Sequence, residues 1–80
     1  MSDPLRYVIV IEQAADGGYG AWAPDLPGCV ALGDTVEETE QEMREAISFH
    51  LDSLREHGEP VPQPSAITAT VVEVDAARPD

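Results

Sequence analysis

Cys29, His50 and His57 are the side chains with the widest chemical range in this sequence, since a thiolate and two imidazoles can ligate zinc or pair as nucleophile and base. Their spacing supports neither role. Structural zinc sites draw their ligands in closely spaced pairs, and one cysteine with two histidines seven residues apart supplies no such pair. Cys29 therefore reads as a small buried hydrophobe at a strand start, His50 as a packed helix residue, and His57 as a group suited to the negative end of a helix. A hydrolytic metal site would need carboxylates converging from several elements. The local candidates Glu12, Asp16, Asp25 and Glu73 form no spaced motif. Phosphate-cradling glycine runs and a nucleophile elbow are likewise missing from the sequence. The expectation is a protein without catalytic residues, cofactor or metal.

The elements that position these groups follow from the apolar pattern. Residues 7–11 are a β-branched and aromatic run of strand length with apolar side chains on both faces, so both sides of the sheet call for a cover. Asp16-Gly17-Gly18 is turn chemistry, and residues 19–23 return as a second strand that places Trp22 on the face opposite Tyr19, Ala21 and Ala23. Pro24 ends that ladder because it has no N–H to donate. Asp25-Leu26-Pro27-Gly28 reads as a turn, and residues 29–32 as a short third strand.

Thr35-Val36-Glu37-Glu38 fits a capping box, and Met43, Ala46, Ile47, Leu51 and Leu54 fall on one stripe with Val36. With Gly58 as the terminating residue and Pro60 beyond it, the spacing predicts a helix over residues 35–57. Phe49 lies about 140° off that stripe, an exposed position that suits contact with another chain or with the returning tail. After the proline-rich spacer of residues 60–64, residues 67–74 alternate as a final strand. Residues 75–80 are too polar to pack and read as a frayed end.

The chain has 80 residues, with 16 acidic side chains against 4 basic for a formal net charge of −12. One domain over residues 1–80, ordered from about 5 to 75, is all this length supports. Nine acids against Arg44 and Arg55 between Asp34 and Glu59 place much of the charge on the helix. Four arginines and no lysine cannot neutralise a row of phosphates, so direct nucleic-acid binding is not expected. The charge favours a basic protein partner instead. The lone cysteine, the lack of a signal sequence and the lack of a membrane-length apolar run point to the cytoplasm.

The order of features is specific in combination: residues 7–11, Asp16-Gly17-Gly18-Tyr19, Ala23-Pro24-Asp25-Leu26-Pro27-Gly28-Cys29, Gly33-Asp34-Thr35-Val36-Glu37-Glu38 and Glu45-Ala46-Ile47. It resembles the N-terminal domain of HicB antitoxins over about residues 6–54 and onward through the last strand. The resemblance implies an α+β fold, a small β-β-β-α-β domain of partial ribonuclease H type, with one long helix on a three- to four-stranded sheet. It also implies an inhibitor that covers the active site of a small basic HicA-like toxin and blocks cleavage of messenger RNA. Trp22, Asp25, Leu26 and Pro27 are the candidate partner contacts, and Phe49 the candidate oligomer contact. Many HicB antitoxins continue into a DNA-binding domain; this sequence contains no such half, so operator binding is not carried over.

Two alternatives stand beside the antitoxin. One is a HicB-like oligomeric interaction module without a toxin, and the other a metal-dependent nuclease on a ribonuclease H-like sheet. The two-faced apolar first strand and Phe49 also predict a homo-oligomer, with a symmetric dimer as the simplest closed assembly.

Overall fold

A computed structural model describes residues 4–76. Strands β1 (Val10–Gln13), β2 (Tyr19–Ala23) and β3 (Leu26–Gly33) form an antiparallel sheet in the order β1-β2-β3, and helix α1 (Val36–Glu56) packs on one of its faces. The α+β class and the single helix agree with the expectation. At the β1–β2 turn Gly17 takes φ +94°, while the Gly18 N–H is held by Asp16 Oδ1 at 2.9 Å.

Strand limits differ from those read in the sequence, and the ladder explains why. Val10 stands opposite Trp22, which puts Val8 level with Pro24, where no N–H is offered. Pairing therefore begins at Val10 rather than Tyr7, and it runs on to Gln13 because Gly20 and Tyr19 face Glu12 and Gln13. β3 starts at Leu26, three residues before the expected Cys29. The register slips between Trp22 and Ala23, and Gly28 adopts φ +84° inside the irregularity. Residues three apart on an unbroken strand point to opposite faces; here both Leu26 and Cys29 turn inward.

The core joins the inner sheet face to α1 through Ala21, Ala23, Leu26, Cys29, Met43 and Leu51. Burial of Leu26 or Met43 contributes about 1.5–3 kcal/mol each relative to exposure. Gly33 permits the closest approach of the two layers, since a Cβ there would lie 2.5 Å from Thr39 Oγ1 and 2.8 Å from its backbone nitrogen. Thr39, fully buried, donates its hydroxyl to the Thr35 carbonyl at 2.7 Å.

Both helix ends are closed as their residues predict. Thr35 Oγ1 accepts from the Glu38 N–H at 3.0 Å, and Glu38 Oε1 accepts from the Asp34 N–H at 2.8 Å. At the other end Gly58, at φ +68°, donates to the Arg55 carbonyl while Glu59 donates to that of Leu54, which is a Schellman termination. His57 places Nδ1 2.7 Å from the Ser53 carbonyl, at the negative end of the helix.

The expected fourth strand is not formed. Residues 59–76 have no regular structure, and the sheet has three strands among the described residues. Alternation makes a segment fit for a ladder but does not supply the neighbouring strand. The spacer is fixed instead at two points. The Tyr7 hydroxyl donates to the Pro62 carbonyl, and Asp25 accepts from the backbone N–H groups of Ser65 and Ala66, each at 3.0 Å, and from the Ser65 hydroxyl. Burial pushes the Tyr7 phenol above its ordinary pKa. Beyond Ala66 the chain leaves the body, with residues 67–76 exposed throughout. Of the end expected to fray, residues 77–80 lie outside the described residues, as do residues 1–3 at the start of the chain.

Candidate functional site

The side of the sheet away from α1 carries the feature most unlike an ordinary surface. The register places Val10, Trp22 and Val30 side by side across the three strands, and Glu12, Gly20 and Leu32 in the next row on the same face. Trp22 is 41% exposed, Val30 62% and Leu32 77%. A sheet uses both faces of its strands, and a single helix covers one. The uncovered face here is an apolar row with a tryptophan at its centre.

Acidic groups border this row. Leu32 lines a shallow notch of about 380 Å³ together with Asp16, Asp34 and Glu38, at the end of the sheet where α1 begins. Local structure holds two of these carboxylates in place, Asp16 through the Gly18 N–H and Glu38 through the Asp34 N–H. Glu12 adds a fourth charge on β1. An apolar centre with fixed negative charge at one end suits a basic protein that offers an apolar anchor.

The residues singled out in the sequence separate into distinct environments. Trp22 is on the open face. Pro27 is exposed at the β3 irregularity. Leu26 is 1% exposed, a correction to its place among the candidate contacts, because the irregularity turns its side chain into the core. Asp25 faces outward, but its carboxylate holds the spacer. The Ser65 hydroxyl and the N–H groups of Ala66 and Ser65 keep its pKa below the usual aspartate value. Phe49 is 77% exposed on the solvent side of α1.

The acids considered for catalysis do not converge. Glu12, Asp16, Asp25 and Glu73 occupy separate places, and among the described residues no group of three or more His, Cys, Asp or Glu is arranged to hold a metal ion. Cys29 is buried, and burial pushes its thiol pKa up, away from the reactive thiolate. No helix among the described residues is long and apolar enough to cross a membrane.

Val30 and Leu32 are functional candidates that the sequence reading does not single out, although their signal is present. The run Cys29-Val30-Ala31-Leu32 is apolar at every position, so whichever pair faces the core, the other pair faces out.

Comparison with known proteins adds relatives to this geometry. The family model described as HicB_like antitoxin of bacterial toxin-antitoxin system matches residues 7–78. A UPF0150 protein of Synechocystis sp. is 43% identical over 62 residues, which are 78% of each chain. Antitoxin HicB 1 of Photorhabdus laumondii is 30% identical over 70 residues, 88% of this chain and 45% of that one. The crystal structure of the N-terminal domain of Burkholderia pseudomallei antitoxin HicB matches with a TM-score of 0.64 and 31% identity, covering 81% of this chain and 72% of that one. The match thus spans under half the length of the Photorhabdus antitoxin.

Proposed function

The chain belongs to the HicB-like antitoxin family of bacterial toxin-antitoxin systems, and from that premise we propose that it neutralises a small basic toxin of the HicA type by seating it on the open sheet face. The observation that carries this is the Val10–Trp22–Val30 row with its acidic border. Trp22 supplies the large, rigid anchor typical of interface centres, and Val30 and Leu32 exclude water around it. Glu12, Asp16, Asp34 and Glu38 face the basic groups with which such a toxin would engage RNA.

Inhibition then follows from occupancy. A toxin whose cationic surface is covered cannot reach messenger RNA, and the antitoxin needs no chemistry of its own. It acts in the cytoplasm, where the toxin's substrate is, and binds neither nucleic acid nor membrane directly.

The test is co-expression with the HicA-like toxin of the same host. The unaltered chain restores growth and binds the toxin. Trp22→Ala, on an exposed side chain, leaves the fold intact and weakens binding about 30-fold or more, the loss of a hot spot worth about 2 kcal/mol. Unchanged affinity for Trp22→Ala together with Leu32→Asp rules out this face.

A further inference from the structure

The segment 67–74 is the part of the chain that its own fold does not use. Ile67 is 94% exposed and Val71 93%, and Val72 and Val74 are exposed as well. Four large apolar side chains held in water across eight residues are not the composition of a tail that stays solvated. The radius of gyration is 15.7 Å, where a compact chain of this length has about 12 Å. The excess belongs to a segment that projects from the body, and in strand geometry eight residues reach about 26 Å.

On the helix side of the molecule, away from the open sheet face, there is a groove of about 660 Å³ between the segment preceding β1 and α1. It exists because α1 lies mainly over β3 and β2 and touches β1 least. Its floor is apolar, with Tyr7, Ile9, Ile47 and Leu51. Its walls hold Arg6, Arg44 and Arg55, three of the four arginines in the sequence, against the carboxylates of Glu40 and Asp52. In a chain of net charge −12 this is the one place among the described residues where arginines gather. The segment beside it leads into β1, and neither that segment nor the outer edge of β1 has a strand partner among the described residues.

Groove and tail complement one another. As a strand, the segment presents Ile67, Ala69, Val71 and Glu73 on one side, three apolar side chains followed by a carboxylate. We propose that residues 67–74 of one copy add as a strand along the outer edge of the segment that leads into β1 of a second copy, with Ile67, Ala69 and Val71 on the groove floor and Glu73 against its arginines. The exchange is reciprocal, so a twofold dimer satisfies both tails and both edges.

A second copy fits better than the other two occupants. The spacer of the same copy meets the groove at Tyr7, whose hydroxyl donates to the Pro62 carbonyl, and then leads on to Asp25. Asp25 fastens Ser65 and Ala66 at the base of the central strand, on the side of β1 away from its free edge, and the alternating prolines at 60, 62 and 64 stiffen the approach against a reversal. A basic toxin finds no free carboxylates there, since Glu40 and Asp52 are already paired with Arg44 at 3.1 Å and Arg55 at 3.3 Å, and Arg6 adds a further positive charge.

The test uses the full chain. Sedimentation velocity shows a dimer for the unaltered protein and a monomer for Val71→Asp, while circular dichroism and thermal midpoint stay near the original because the tail makes no core contact. Two Cys29→Ser samples, one carrying Thr70→Cys and the other Arg6→Cys, form a mixed disulfide dimer when combined. A monomeric unaltered chain overturns the proposal, as does a dimer that survives Val71→Asp or a disulfide that closes within one chain carrying both cysteines. Toxin binding is measured in parallel: Val71→Asp retains it, and its loss without a change in mass would assign the tail to the toxin and sink the exchange. Trp22→Ala alters toxin binding alone, so the two interfaces fail separately.

Discussion

Asp25 shows how a residue's neighbours decide its use. A carboxylate in an exposed turn is open to any partner by sequence, yet here it accepts from Ser65 and Ala66, forty residues further along, and fixes where the spacer meets the sheet. These bonds favour the charged form and depress its pKa below 3.8. A depressed carboxylate pKa contributes tethering that is complete above its ordinary value and is lost as pH falls through the depressed one. Asp25→Ala should therefore lower the hydrogen-exchange protection of the Ser65 and Ala66 amides at neutral pH, and acidification through the depressed Asp25 pKa should lower it in the unaltered chain, each judged against the intrinsic exchange rate at that pH. Equal protection in the variant would show that the tether is held by other groups. Leu26, next in sequence, has the opposite fate, and nothing local announces it: the sequence shows turn residues, while the face each one takes depends on the slip in register against β2.

At the level of elements, legibility follows how local the cause is. Helix α1 is readable almost to the residue because its stripe, its cap and its terminating glycine all lie within or beside it. The limits of β1 are not, because Pro24 acts on it from across the ladder. The strand pattern at 67–74 is plain in the sequence, whereas its partner is not encoded nearby. Arg44 and Arg55 stand eleven residues apart, about three helical turns, so their common side is also open to inspection; only the fold shows Arg6 joining them. The capping box gives a direct test of element stability. Thr35→Ala removes the acceptor of the Glu38 N–H and should cost about 1 kcal/mol, or a fall in thermal midpoint of about 4–8 °C, read by circular dichroism. A smaller change than half of this would mean that packing of Thr39 on Gly33 holds the helix start without its cap.

For the whole molecule, salt distinguishes the two interfaces because charge enters them with opposite sign. A chain of net charge −12 attracts a basic toxin over long range and repels its own copies. Raising ionic strength from about 0.1 M to about 1 M shortens the screening length from about 10 Å to about 3 Å. Toxin association should slow by at least about tenfold over that interval, while dissociation, governed by the apolar row around Trp22, changes little. Self-association should move the other way. Its contact is an apolar strand with one carboxylate, and screening relieves the repulsion between the acidic bodies, so the dimer tightens as salt rises. Stopped-flow binding and sedimentation over the same salt series read both effects. If toxin association and dimerisation weaken together, the tail is held mainly by its charge and not by the apolar groove floor; if toxin association is indifferent to salt, the acidic border of the open face takes no part in capturing its partner.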